Sequence, residues 1–167
     1  MPPASNTFTL SSHDIAQGEK TRTAQVFNEF GCTGQNISPA LAWKNPPTGT
    51  KSFAIMVHDP DAPTGSGWWH WIVFNIPGTV SSLPADAGNP KKKLLPKGAV
   101  QGRNDYGFHG YGGPCPPPGP PHRYFFRLHA LKVDKIDSPA EASAALIGFN
   151  VNGNTIAVAE IMATYAR

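Results

Sequence analysis

Apolar and polar residues alternate with a period of two along much of the chain, the pattern of half-buried strands. From Ser52 to His58, Phe53, Ile55 and Val57 point one way and Ala54, Met56 and His58 the other. From His70 to Ile76 both faces are apolar, which predicts a strand inside a sheet, ended by the turn pair Pro77-Gly78. The longest candidate runs from Arg123 to Val133. There Tyr124, Phe126, Leu128 and Ala130 share one face, opposite Phe125, Arg127, His129 and Leu131. Thr155 to Ala166 closes the chain as a strand, with Ile156 and Val158 opposed to Ala157, Ala159 and Ile161. Weaker β signals lie at Phe8-Thr9-Leu10 and from Ile37 to Trp43, the latter stopped by Asn45-Pro46-Pro47-Thr48-Gly49.

One segment breaks this period. Ser138-Pro139-Ala140-Glu141 reads as a capping box with proline at the first helical position, and predicts a short helix to about Phe149. Asn152-Gly153 then reads as a hairpin-type turn. Several strands, one clear helix and long Pro/Gly loops predict a mainly β fold: an antiparallel β-sandwich with one or two short peripheral helices. No repeat or linker divides the chain, so residues 1–167 read as a single domain.

Composition sharpens this picture in one respect. The 18 prolines and 17 glycines exceed a fifth of 167 residues, yet 40% of the chain is hydrophobic, so they belong to turns and shaped loops rather than to disorder. The net charge of +3 is mild. Lys91-Lys92-Lys93 is the one basic run and has no interleaved aromatics, which argues for a solvated loop and against a nucleic-acid partner. Small anions and lipid headgroups are compatible with it. No apolar run approaches the ~18 residues of a membrane span. Met1 to Asn6 lacks the basic and apolar regions of a signal peptide. Cys32 and Cys115 form no C-x-x-C motif, so free thiols in a reducing cytoplasm are the default, with a bridge as the alternative. A cytoplasmic location is the resulting expectation.

The candidate chemistry sits in two segments some fifty residues apart. One is Asp59-Pro60-Asp61-Ala62-Pro63, followed by Trp68-Trp69-His70-Trp71; the other is Gly112-Gly113-Pro114-Cys115-Pro116-Pro117, leading to Pro121-His122-Arg123-Tyr124. Each brings proline-stiffened backbone, an aromatic ring and a histidine to the end of a strand, as two walls of one small polar pocket would. Pro60 holds Asp59 extended, and Ala62-Pro63 is a candidate cis peptide. The competing reading of the acids is an Asx-type turn, assigned to Asp61 more readily than to Asp59. Most of the tryptophan surface reads as core packing. Six prolines in the eight positions from Pro114 to Pro121 predict an extended, polyproline-like wall, for which a rigid surface loop is the bland alternative.

These motifs resemble the phosphatidylethanolamine-binding protein family, which includes the Raf kinase inhibitor proteins. Asp59-Pro60-Asp61-Ala62-Pro63, His70-Trp71 and the run from Gly119 to Tyr124 carry the resemblance, from Asn36-Ile37-Ser38-Pro39 through to Tyr165. Gly65-Ser66-Gly67-Trp68 and Tyr111-Gly112-Gly113 are similar to its bacterial branch in particular. The resemblance implies a β-sandwich with a pocket for phosphate, acetate-like ions or a phospholipid headgroup. By position, Asp59, His70, His122 and Tyr124 would line it, with backbone around Cys115, Pro116 and Pro117 and the Trp68 ring beside them. It also implies a regulatory role toward a kinase or protease, and a candidate homodimer. Animal members carry an extra C-terminal helix over the pocket mouth and a less proline-rich loop before His122; here the sequence stops at Arg167.

The residues themselves agree with an anion site: two imidazoles, a phenol and backbone N–H groups can donate to it, and Asp59 would pair with a protonated histidine. Binding is then expected to strengthen as pH falls through about 6–7. No cofactor or resident metal is expected. The main alternative is a hydrolase-type enzyme using His70, His122 and Asp59, with Asp61 as a further metal ligand or Cys115–His122 as a thiol–imidazole pair. Against it, Gly-x-Ser-x-Gly, His-Glu-x-x-His and P-loop motifs are absent. Lys91 to Lys97 and Gly107 to Gly113 read first as solvated loops; with Phe108 and Tyr111 read as exposed aromatics, they are the candidate interface for a protein partner.

Overall fold

The computed structural model describes residues 6–167. Met1 to Ser5, where most of the signal-peptide reading falls, lies outside them. In chain order the elements are β1 (Thr9–Ser11), β2 (Leu41–Lys44), β3 (Ser52–Asp59), β4 (Trp68–Pro77), β5 (Ser82–Leu83), β6 (Val100–Gln101), β7 (His122–Leu131), α1 (Ala144–Asn154) and β8 (Thr155–Tyr165). They form a five-stranded sheet in the order β6-β4-β3-β7-β8 and a three-stranded sheet in the order β1-β2-β5. Every pairing within them is antiparallel.

The alternation along β3 accounts for both sides of the large sheet. Phe53, Ile55 and Val57 face the small sheet, where they meet Leu41 and Trp43 of β2 and Leu83 of β5. Ala54 and Met56 face away and pack with Ile72 and Phe74 of β4 beneath Ala144, Ile147 and Val151 of α1. β4 is therefore covered on both faces, which is why its sequence is apolar throughout. Each fully buried Phe, Ile or Val contributes about 1.5–3 kcal/mol by leaving water. The faces predicted for β7 and β8 also hold: Tyr124, Phe126, Leu128 and Ala130 join the inter-sheet core with Ile161, while Ile156 and Val158 are exposed. The last rungs of β8 are covered by residues 17–21, through Gly18 N–H to Met162 O (2.7 Å), Thr164 N–H to Glu19 O (2.9 Å) and Thr21 N–H to Thr164 O (2.8 Å).

The structure corrects five expectations. The helix starts at Ala144 rather than after Ser138: Ser143 is its N-cap, accepting from Leu146 N–H at 3.1 Å. The Ser138 hydroxyl instead accepts from Asn150 Nδ2 at 2.7 Å. Asn152-Gly153 makes no hairpin turn, because the helix runs through Asn154 and passes straight into the extended Thr155. The predicted strand from Ile37 shrinks to Leu41–Lys44, since Pro39 has no N–H for a ladder and Ser38 is committed to Asp86 and Gly88 (both 2.9 Å). Among the described residues no peptide bond is cis, so Ala62-Pro63 is trans. The turn there closes through Thr64 N–H to Ala62 O (2.8 Å) and a Thr64 hydroxyl bond to Gly67 O.

The fifth correction concerns the cysteines. Cys32 and Cys115, 83 residues apart, form a disulfide rather than free thiols. Their loops meet beside a cluster of Phe27, Phe30, Tyr106 and Phe108, in which the Phe27 and Tyr106 rings stack at 3.9 Å. The bridge removes the premise on which the cytoplasmic expectation stood, because such bonds persist in oxidising compartments. Among the described residues no helix is long and apolar enough to cross a membrane.

The native protein should show no reactive thiol until it is reduced, and reduction should lower its unfolding free energy by about 2–4 kcal/mol. Thiol titration and urea unfolding with and without reductant check this. Two freely titrating thiols in the oxidised, folded protein would refute the bridge.

Candidate functional site

The antiparallel register of β3 against β7 pairs His58 with Phe125, so the end of one strand lies beside the start of the other. Asp59 and His122 meet there: His122 Nδ1 lies 2.7 Å from Asp59 Oδ2 and donates to it. The second Asp59 oxygen accepts the backbone N–H of Asp61 at 2.8 Å. The Asx-type turn thus belongs to Asp59, the less expected of the two acids. Asp61 instead grips Arg123, accepting its backbone N–H, Nε and Nη2, each at 2.9 Å. The hydrogen bonds from Arg123 hold the Asp61 carboxyl below the usual carboxylate range. This ion pair pins the 59–63 turn to the first residues of β7.

His70 enters from β4. Its Nδ1 lies 2.7 Å from Gly112 O, and a carbonyl can only accept, so Nδ1 carries the proton. Gly112 N–H returns a bond to His70 O at 3.0 Å. A close backbone approach holds this segment: a Cβ on Gly113 would sit 1.9 Å from Gln25 O, so only glycine fits. Asn36 completes the clamp, accepting from Gly113 N–H at 2.8 Å and donating to Tyr111 O at 3.0 Å. The His70 ring is 3% exposed, and burial pushes it down to about 4, outweighing the opposite pull of Gly112 and Asp59. The ring is neutral at physiological pH, and its Nε2 is a bare lone pair. The expectation of two donor imidazoles therefore fails at His70, which faces the site as an acceptor.

All eight residues expected at the site line one cavity of about 200 Å³: Asp59, Trp68, His70, Cys115, Pro116, Pro117, His122 and Tyr124. Phe30, Ala62, Pro63, Thr64 and Tyr106 line it too, and the sequence reading missed them as site residues. Tyr106 is the informative omission. Its hydroxyl donates to Gly113 O at 2.8 Å and its ring meets those of Trp68 and His70 edge-on. The only signal for it was an aromatic pair, Tyr106 and Phe108, flanking a glycine. Trp68 Nε1, His70 Nε2 and Tyr124 Oη are buried with no protein partner among the described residues. Thr21 Oγ1 and Gln25 Oε1 share that condition but do not line the cavity. Burial pushes the Tyr124 phenol upward, so it stays protonated and able to donate.

The chemistry proposed for the rival readings finds less support. Cys115 is in the disulfide, so it offers no thiol to His122. Among the described residues no group of three or more His, Cys, Asp or Glu is placed to hold a metal ion, and Asp61 is committed to Arg123. Tyr111 is 2% exposed and donates to Gln25 O at 2.8 Å, while Phe108 packs in the Phe27 cluster, so neither is the exposed aromatic that the interface reading requires.

Comparison with known proteins agrees with this architecture. The family model described as phosphatidylethanolamine-binding protein matches residues 11–166. UPF0098 protein YbcL of Escherichia coli is 55% identical over 95% of this chain and 87% of its own length. UPF0098 protein YbhB of the same organism is 47% identical over 94% of this chain and 99% of its own. The crystal structure of YbcL, described as a new member of the mammalian PEBP family, superposes with a TM-score of 0.94 over 96% of this chain and 98% of that one. A Chlamydia trachomatis protein, described as a putative phosphatidylethanolamine-binding protein homolog, superposes with a TM-score of 0.80 at 34% identity, covering 98% and 99% of the two chains.

Two buried histidines give the fold a pH-dependent stability. Burial pushes both His70 and His129 from 6.5 down to about 4. Below about 6.5 the unfolded chain binds protons that the folded chain refuses, so stability is full above that value and falls as pH drops toward 4. Full depression of one such histidine is worth about 3 kcal/mol. Asp61, with an ordinary value of 3.8, loses its contribution only at lower pH. Urea unfolding should therefore show a markedly lower free energy at pH 4.5 than at pH 7.5; a flat profile across that window would refute the neutral histidines.

Proposed function

Because the chain belongs to the phosphatidylethanolamine-binding protein family, we propose that it is a binding protein whose pocket takes a small anion or a phosphorylated ligand, free phosphate or a phospholipid headgroup, without transforming it. The observation that supports this is the convergence of three buried polar atoms without protein partners, Trp68 Nε1, His70 Nε2 and Tyr124 Oη, on one cavity. Buried polar groups are almost always hydrogen-bonded, so three such groups around one space imply a polar occupant. Trp68 N–H and Tyr124 O–H donate to oxyanion oxygens. His122, held at its Nδ1 by Asp59, presents its Nε2 as a third donor when protonated. The aspartate then keeps that pair near neutrality, and the pocket acts by oriented hydrogen bonds more than by net positive charge.

Binding without turnover is the reading the local chemistry favours. Asp59 and His122 make an acid–imidazole pair, but Cys115 is in its disulfide, the Thr64 hydroxyl donates to Gly67 O, and burial keeps Tyr124 a protonated phenol.

Calorimetric titration with inorganic phosphate tests the proposal. Wild-type protein should bind, and Tyr124→Phe and His122→Ala should each weaken binding about tenfold, the worth of one hydrogen bond to a charged group. No binding by the wild type, or none of the loss in either variant, sinks it. Incubation with p-nitrophenyl phosphate should release no nitrophenol; turnover abolished by His122→Ala would establish the hydrolase reading instead.

A further inference from the structure

We infer that the pocket selects oxyanions that still carry a proton, a phosphomonoester or hydrogen phosphate, over equally charged oxyanions that carry none, and that His70 Nε2 is the selecting atom. This rests on the pocket being an anion site and names the chemical class that it takes.

The inference starts at a backbone carbonyl. Gly112 O, 2.7 Å from His70 Nδ1, takes the one proton of the neutral ring. The opposite nitrogen, Nε2, is left with a lone pair, buried and unpartnered, on a residue that lines the cavity. Such an atom accepts one hydrogen bond and repels any oxygen that lacks a proton. Among the described residues nothing supplies that proton: the Trp68 N–H and Tyr124 O–H are themselves without partners. Burial opposes protonation of the ring and holds it neutral down to about 4 in the free protein. It cannot flip to offer an N–H without breaking its bond to Gly112, which Gly113 and Asn36 hold in place.

The three unpartnered atoms therefore ask for a particular ligand surface: oxygens for Trp68 N–H and Tyr124 O–H, and an O–H for His70 Nε2. A phosphomonoester monoanion presents both kinds of group at once. A sulfate ester and a phosphodiester present acceptors alone, and each would leave Nε2 buried against an oxygen lone pair. A site built around a hydrogen bond discriminates strongly against analogues that cannot make it, because the buried group is then left unpaired. Asp59 at the wall is hydrogen-bonded to His122, so the discrimination rests on hydrogen bonding rather than on the net charge of the pocket.

The test uses three probes of matched charge and similar size. At about pH 5, below the second phosphate pKa of about 6, methyl phosphate is mainly a monoanion with one P–OH. Methyl sulfate is a monoanion with none. Dimethyl phosphate is a monoanion with the diester linkage of an intact phospholipid. None carries an ammonium group, which would meet the same acceptor. Calorimetry should show methyl phosphate binding at least about tenfold more tightly than either of the others. In His70→Gln, whose amide can donate as well as accept, the preference should collapse toward parity.

Imidazole 15N spectra of the wild type provide a check that does not depend on the variant folding. His70 Nε2 should resonate as an unprotonated nitrogen, shift on adding methyl phosphate, and stay put with methyl sulfate. Equal affinities for methyl phosphate and methyl sulfate overturn the inference while leaving the anion site intact. A protonated Nε2 in the free protein at pH 7 overturns it as well. Failure of all three probes, with inorganic phosphate also inactive, removes the anion-site reading itself and the inference with it.

Discussion

The site depends on the antiparallel register between β3 and β7. Pairing His58 with Phe125 sets the last residue of one strand next to the first residues of the other, and so brings an acid at position 59 to a histidine at 122. A slip of one residue would turn every side chain on β3 to the opposite face. That is prevented by having two different cores: Phe53, Ile55 and Val57 fit the space between the sheets, and Ala54 and Met56 fit beneath α1. The register is thus fixed by apolar packing, and the polar pairs Asp59–His122 and Asp61–Arg123 are located by it. The ion pair of Arg123 lies largely in solvent, where such pairs contribute little stability. Its effect is to orient the turn.

A second chain of contacts sets the polarity of the pocket floor. It runs from the tight approach of Gly113 to Gln25, through the Asn36 clamp, to the Gly112 carbonyl and finally to the proton on His70. None of these residues except His70 lines the cavity. The protonation of a pocket atom is therefore decided by backbone packing one layer behind it. Tyr106 joins the two layers, with its hydroxyl on Gly113 and its ring against Trp68 and His70.

The sequence disclosed the long strands and their buried faces, because period-two alternation is a direct record of which side meets a core. The residues alone pointed to two proline-stiffened segments meeting at strand ends, and the family resemblance supplied by position the eight residues that line the cavity. Three things were hidden. The ends of α1 depend on which serine finds a free N–H, and Ser138 was already taken by Asn150. The state of Cys32 and Cys115 depends on two loops 83 residues apart coming together over an aromatic cluster. The donor or acceptor character of His70 depends on a carbonyl 42 residues away. Each is a long-range contact without a local pattern.

The strap formed by residues 17–21 along the end of β8 has a consequence for how the chain is made. The sheet's middle strand acquires its second neighbour only when residues 122–131 have left the ribosome, and the N-terminal segment finds its partners only once residues 162–164 have followed. Until then two strands destined to be covered on both sides remain partly unpaired on the nascent chain. Topologies dominated by such distant pairings fold slowly and are exposed to aggregation meanwhile. Ligand binding should thus emerge in one late step of biogenesis, since a chain cut short anywhere before the final strand lacks the frame that sets the cavity's walls.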